Sequence, residues 1–581
     1  MRSLLPHRLR LLTMVALAAL LAVLAVPSAS AEAQPSGDPA DGATEQPLPA
    51  TALTFRVDGS FSVQDIWPDG SLELPFPTVG WAIAATESLR AAGQPVRIVV
   101  APGTYRERVK ITGTGADAPL VLESEEPGGA VITGADVEDR WTPVAGTPLA
   151  RAPWTANWGL APIPGSWGDA VAPSDGVRRR EAMFVDGEPL VQVLRFEDLV
   201  PGSFLVDETG DAIYAHPPAG ASPDLSGNLV EVATRARVLD IGNGAANVTV
   251  RGFTFQAGAA PFTKFMANVS ESTDVVVEQN TFRHSSWGGL FVCCTEGVTV
   301  RDNVSEANGG NGIDTYRAHD VVVQGNVATG NNVRGARNGY LGWSVAGSKN
   351  MLLHGAVFRD NVWDGNWARG LWFDTDVVDV LVDGDRSCGN ARDGVFLEAL
   401  AGPITIRNRT FCGNARAGVI VSSAGGVTLE GSTLADNPYG QLVFSGERLR
   451  TWTNHVTGTP ELVQDFTDWT LRDNVLQSDA TNSPLVFSPV LTQAEWRAKL
   501  SAGEVRASGT IWDHPSIAEA IIIYGKAFSI AEWNSLTGDG TATADPAPEP
   551  VVEEPTDPST SRGNSGKGDK SGPPQGKGPR S

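Results

Sequence analysis

Two carboxylates 24 residues apart, Asp374 and Glu398, are the side chains best placed to do chemistry, and each closes a copy of one phrase. Residues 365–374 read GNWARGLWFD, residues 389–398 read GNARDGVFLE, and residues 413–422 read GNARAGVIVS, with Ser422 where the others carry an acid. If the copies stack as neighbouring strands, alternation sends Leu371 and Phe373 one way and Trp372 and Asp374 the other. Leu371 and Phe373 then continue into Val395 and Leu397, and into Val419 and Val421, as core ladders. Trp372 with Asp374, Phe396 with Glu398, and Ile420 with Ser422 form the outer stripe. Carboxyl groups one strand spacing apart, roughly 5 Å, raise one another's proton affinity and match the acid and nucleophile of a retaining glycosidase. The same oxygens are candidate Ca²⁺ ligands. One copy back the match is looser, around Gly342-Trp343-Ser344. Two copies back GIDTY offers Asp314 and Tyr316, with Asp314 ~9.6 Å from Asp374 by strand spacing, near the wider separation of inverting glycosidases. Against this stands the plain role of outward acids, which is to keep a β surface solvated.

Aromatic and basic residues crowd the same stretch. Trp287, Trp343, Trp363, Trp367 and Trp372 fall within 90 residues. Exposed indoles stack on sugar faces and donate to hydroxyls. Trp372 is the one that alternation places outside. Trp363 and Trp367, on the turn before it, are expected to rim a groove, while Trp287 and Trp343 are as readily packed under loops. Arg369, Arg392 and Arg416 recur in successive copies. They are suited to uronate or sulfate groups, or structurally to pairing with Asp393 or capping carbonyls. His284, His319 and His354 lie in or near these copies at spacings that demand neither a metal nor a catalytic triad.

The elements that must position these side chains are short apolar runs rich in Val, Ile and Thr: NVTVRGF at 247, DVVVEQN at 274, GVTVRDN at 297, DVVVQGN at 320, NMLLHGA at 350, DVLVDGD at 379, PITIRNR at 403 and GVTLEGS at 426. Their third apolar positions are 250, 277, 300, 323, 353, 382, 406 and 429. A period in the low twenties with insertions marks a solenoid, and runs bounded by Gly and Asn are strands between turns. One unit of this length suits one coil of a parallel β-helix, an all-β fold. Asn366, Asn390 and Asn414, and likewise Asn280, Asn303 and Asn326, are then expected to stack as amide ladders. Cys388 and Cys412 fall at one place on neighbouring coils, within disulfide reach, so a bridge is favoured over a reduced pair. Cys293 and Cys294 are expected as two thiols on opposite faces. Metal binding by cysteine is not indicated, for want of a second CxxC-type pair.

The ends set the compartment. Residues 1–31 combine a basic start, an apolar run and Ala29-Ser30-Ala31, the pattern of a secretory signal peptide, so the chain is expected to be secreted and extracellular. Residues 32–51 read as a disordered leader, and residues 542–581 as a disordered charged tail, a candidate for contact with an anionic cell envelope. The formal charge of −23 argues against nucleic acid as a partner. Residues 52–135 are assigned to an N-terminal cap and first coils, 136–245 to a β-rich insertion or side domain, 246–446 to regular coils, and 447–541 to irregular coils and a C-terminal cap.

The segment IVVAPGTYRERVKITGTGADAPLVLESEEPGGAVITGA at 98–135 resembles the opening coils of secreted right-handed parallel β-helix proteins of the pectate-lyase-like superfamily. PFPTVGWAIAATESL at 75–89 is similar to their capping segment, and FSIAEWNSLTGDG at 528–540 to their C-terminal end. The resemblance spans residues 52–541 and implies the fold, but that scaffold carries several reactions. The reading put first is a monomeric polysaccharide-cleaving enzyme: Asp374, Glu398 and Asp314 catalytic, Trp372, Trp367, Trp363, Arg369, Arg392 and Tyr316 on the substrate, no cofactor required and Ca²⁺ as an option. Two alternatives stay open. One is a polysaccharide lyase using Ca²⁺ and a base from among Lys264, Arg317, Lys349 and Arg369. The other is a non-catalytic surface or adhesion protein.

Overall fold

The computed structural model describes residues 48–539, apart from 63–66, 116–117, 169–170, 401, 447–448 and 465. The expected signal peptide, nearly all of the leader and the charged tail lie outside the described residues.

A regular coil contributes a short strand to each of three faces, and neighbouring coils pair in parallel. On the first face Phe265–Ser270 pairs with Gly288–Cys293, and Arg369–Asp374 with Val395–Leu400 and then Ala417–Ala424. On the second, Thr273–Glu278 pairs with Thr299–Arg301, and Val378–Asp383 with Ile404–Arg407. On the third, Thr254–Gln256 pairs with Thr281–Arg283, and Arg386–Cys388 with Thr410–Cys412. Two long strands, Ile313–Gln324 and Ala346–Arg359, bend from the first face into the second. Alternate residues turn inward. Leu371, Phe373, Val395, Leu397, Val419 and Val421 are buried in one continuous core with second-face residues such as Val382, Ile406 and Leu429.

The repeated phrase is a corner. Asn390 Oδ1 accepts from the backbone N–H of Asn366 at 2.9 Å and from its Nδ2 at 3.2 Å, and Asn414 does the same for Asn390. This ladder runs from Asn308 through Asn331, Asn366, Asn390 and Asn414 to Asn437. A second joins Asn280, Asn303, Asn326 and Asn361. Each rung satisfies a buried turn N–H that no strand partner reaches. Glycine after the corner is a packing requirement: a Cβ on Gly370 would collide with Ser387 Oγ and lie 2.7 Å from Asn390 Nδ2.

Two expectations need correction. The coil holding Val323 is followed by one in which Phe358 holds the equivalent place, and Val382 comes next. The steps there are 35 and 24, rather than 30 and 29 through position 353. The long step accommodates a loop with the short helix Val333–Arg337, and NMLL belongs to the end of the first-face strand. Cys293 and Cys294 do not pack on opposite faces. Cys294 takes a left-handed backbone conformation, φ 59°, which breaks strand alternation and brings its sulfur against that of Cys293. Cys388 and Cys412 are bridged, with Cα atoms 4.6 Å apart.

After the third-face strand Ala130–Thr133 the chain leaves the solenoid at Ala135–Val137. It forms a four-stranded and a five-stranded sheet, and re-enters at Leu239–Gly242, which pairs with both Val109–Thr112 and Phe265–Ser270. The excursion thus interrupts a coil without breaking the stack. Its loop packs Ala161 and Val177 against Phe262, Trp287 and Val345. The helix Val79–Ala91, capped by Thr78 Oγ1, packs on the first core residues. Helices Gln493–Ser501 and Ile530–Thr537 bury Trp496 and Trp533 over the last coils. Among the described residues no helix is long and apolar enough to cross a membrane.

Candidate functional site

Parallel register places two outward rows on the first face. One holds Phe291, Asp314, Lys349, Trp372 and Phe396; the other, two residues further along each strand, holds Cys293, Tyr316, Met351, Asp374 and Glu398. Asp314 therefore aligns with Lys349 and Trp372, and Tyr316 with Asp374. Asp314 and Asp374 are separated by two coils and two residues, about 12 Å between backbone positions, rather than being directly stacked. The coil between them contributes Lys349 and Met351, not Gly342-Trp343-Ser344. The 35-residue step hid this from the sequence.

Lys349 is the hinge of the arrangement. Its backbone N–H donates to Asp314 Oδ1 at 2.9 Å, and its Nζ lies 2.8 Å from Asp374 Oδ2 and 3.6 Å from the Trp372 ring centroid. Asp374 Oδ1 accepts from the Thr375 hydroxyl at 2.8 Å. Glu398, directly beside Asp374, receives Arg450 Nη1 at 2.6 Å. Burial, reinforced by the charge of Asp374, holds the Glu398 carboxyl above the usual range against the pull of Arg450. The negative charge that would draw Ca²⁺ to Asp374 and Glu398 is thus already balanced by Lys349 and Arg450.

Asp314 is buried at the floor of a pocket of about 120 Å³, walled by Phe265, Phe291, Trp287, Tyr316 and Lys349. Burial pushes its carboxyl up to about 7, although the Lys349 N–H and the Asn311 amide, 2.5 Å from Oδ2, favour the ionised form. The Phe265 and Phe291 rings stack at 4.9 Å and 16°, and Tyr316 continues the row 6.5 Å beyond Phe291. The result is an aromatic strip running along the helix axis towards an acid that is half-protonated near neutrality.

The tryptophans divide. Trp372 faces outward but is only 4% exposed, roofed by Lys349 and by Arg369, whose guanidinium is 4.5 Å from its ring centroid; its Nε1–H has no partner. Trp363 does not rim a groove. It is fully buried in the core, its indole N–H donating to Asp385 Oδ2 at 2.8 Å, because the corner turns it inward. Trp367 is 52% exposed and Trp343 48%, while Trp287 lies buried beneath the insertion. Arg369, Arg392 and Arg416 gather on one buried carboxylate, Asp393, at 3.2, 4.0 and 3.7 Å. Burial lowers Arg369 to about 10. Arg369 also donates to the Gly342 carbonyl, so its first task is to hold the corner.

Residues the sequence reading passed over come from the antiparallel hairpin Leu449–Thr453 and Pro460–Gln464, which follows the regular coils. It supplies Arg450 to Glu398 and His455 to Asp376. No periodicity links these residues to their partners. The only sequence signal was the break in the repeat after 446.

Comparison with known proteins adds the fold and little beyond it. The profile described as "right handed beta helix region" matches residues 231–357, and that described as "periplasmic copper-binding protein (NosD)" matches residues 335–464. No curated protein sequence matches the chain. Among solved structures, the complex of XylC with xylose is similar at TM-score 0.58 and 15% identity, over 79% of this chain and 83% of that one. The chain has the right-handed parallel β-helix fold. Lower similarity connects this β-helix to a glycoside hydrolase, at TM-score 0.46 and 13% identity over 83% of this chain and 100% of that one. The A-module of the Azotobacter vinelandii mannuronan C-5 epimerase AlgE6 is at TM-score 0.45 and 16% identity, over 81% and 96%.

Proposed function

We propose that this β-helix protein is exported to the periplasm or beyond, binds a polysaccharide along its first face, and hydrolyses a glycosidic bond there. The observation that carries the reading is Asp314, a buried acid titrating near 7 at the end of a row of aromatic rings. Sugar rings stack on Phe265, Phe291 and Tyr316. Protonated Asp314 donates to the departing glycosidic oxygen. Asp374, held by Lys349, takes the role of the carboxylate that activates the attacking water. Glu398 stands beside Asp374 as its register partner on the next coil. Three guanidinium groups around the single carboxylate of Asp393 leave a positive patch that favours a uronate or sulfated chain.

The same patch supports a second reading, a uronate lyase with Lys349 near the reacting carbon. Against Lys349 as base stands its ion pair with Asp374, which engages Nζ at 2.8 Å from Oδ2.

The test is product analysis on a panel of neutral and uronic polysaccharides. Hydrolysis yields new reducing ends without the near-ultraviolet absorbance of an unsaturated uronate; elimination yields that absorbance. Asp314→Asn and Asp374→Asn, the second confirmed by circular dichroism to remain folded after losing its ion pair with Lys349, should each lose about 10²-fold or more in turnover. Turnover at the wild-type rate in both variants rules out the assignment, and binding without any product leaves a non-catalytic adhesin.

A further inference from the structure

The chain has seven histidines, and three of them meet at one place around the corner from the aromatic strip. His319 and His354 are register partners on adjacent coils. His455 reaches them from the hairpin, with ring centroids 5.2 Å from His319 and 4.4 Å from His354. One nitrogen from each ring lies within 4.8 Å of the others. Behind them Asp376 is fully buried and spends both oxygens on imidazoles: Oδ1 lies 3.0 Å from His354 Nε2 and Oδ2 lies 2.5 Å from His455 Nδ1. The second oxygen also accepts the His455 backbone N–H at 2.7 Å. A carboxylate fixing the far nitrogens of two histidines turns their remaining nitrogens, His354 Nδ1 and His455 Nε2, into oriented donors. His455 Nε2 is buried and has no partner.

We infer that His319, His354 and His455 form a binding site for a divalent transition-metal ion of the zinc or copper class, with Asp376 as the carboxylate that orients two of the ligands. Three neutral imidazoles suit such ions and not Ca²⁺ or Mg²⁺, which take oxygen ligands. A tetrahedral ion with bonds of ~2.0–2.1 Å needs donors about 3.3 Å apart, within reach of small side-chain rotations from the spacing seen. Three protein ligands leave one position for water or an exogenous ligand. A pocket of about 450 Å³ adjoins His319 and His455, and it is lined by Glu271, Glu296 and Arg317 together with the partnerless buried hydroxyls of Ser272 and Thr295. The site also pins the hairpin to the coils, so binding should stabilise that contact.

The experiment uses the full chain purified without a histidine tag and stripped with a chelator. Zinc is titrated by calorimetry, and Co²⁺ is added as a visible-absorption probe of coordination. The expected result is one ion per chain, tetrahedral-type Co²⁺ bands displaced by zinc, and slower hydrogen exchange in the hairpin when zinc is present. His455→Ala and His319→Ala should each weaken binding by about 100-fold or more, and Asp376→Asn by about 10–100-fold. Unfolding curves of the metal-free variants verify that they are folded; His319→Ala serves if the hairpin variant is not. Absence of stoichiometric zinc binding to the wild type, or wild-type affinity in the folded histidine variants, overturns the inference.

Discussion

Lys349 and Asp374 form a largely buried ion pair across adjacent coils, Nζ to Oδ2 at 2.8 Å, with the Trp372 ring against the ammonium. Removing one member leaves the other charged group without compensation in a site poor in water, which is costlier than removing both. Lys349→Met is expected to lower stability by roughly 3–5 kcal/mol. The double variant Lys349→Met, Asp374→Leu should recover much of that loss. Urea midpoints of the two variants check this, and an equal loss in both would mean the pair is not coupled.

Asp314 makes stability depend on pH in a defined direction. Its folded value of about 7 lies above the ordinary 3.8. Below pH ~4 both states are protonated and nothing is lost. Between ~4 and ~7 the unfolded chain ionises while the folded carboxyl keeps its proton, so stability falls as pH rises. Asp314→Asn removes this term. The variant should gain on the wild type between pH 4 and 8, by an amount on the order of 4 kcal/mol. Stability difference curves that are flat with pH would contradict it.

The same group sets an activity profile. If Asp314 delivers the proton, turnover of the wild type falls as pH rises through about 7. Replacement of Lys349 by Met withdraws the cation beside Asp374 and should change that profile as well as the rate. A profile with no limb near 7 would take Asp314 out of the proton-donating role.

Corner chemistry is testable away from the site. Asn390→Ala leaves the buried N–H and Nδ2 of Asn366 without their acceptor, an expected loss of about 2–4 kcal/mol. Gly370→Ala drives a Cβ into Ser387 and to 2.8 Å from the Gly394 carbonyl, and is expected to be worse than any exposed Gly→Ala change. Thermal unfolding orders the two against the wild type.

The bridge between Cys388 and Cys412 closes one coil of the chain. Replacing both by Ser should lower stability by about 3 kcal/mol through the freer unfolded chain. A reduced wild type and the double variant should melt together.

Much of the molecule was legible because a solenoid converts sequence distance into spatial contact. A period of 24 sufficed to predict that Asp374 abuts Glu398, that Asn366, Asn390 and Asn414 share hydrogen bonds, and that Cys388 reaches Cys412, since each contact repeats one local geometry. Where the period broke, prediction broke. The 35-residue step after Val323 concealed that Lys349, and not the stretch Gly342-Trp343-Ser344, stands between Asp314 and Trp372. Alternation fails at corners, so Trp363 points into the core and Cys294 turns back on Cys293.

The amino-acid sequence on its own determined the coils, their ladders and the outward stripe, because strand alternation and turn chemistry are local and recur. Only the tertiary structure decided that Arg450 and His455, far along the chain, close over Glu398 and Asp376. That contact depends on how one hairpin folds back across the stack, and neither local preference nor period encodes the path of such a return.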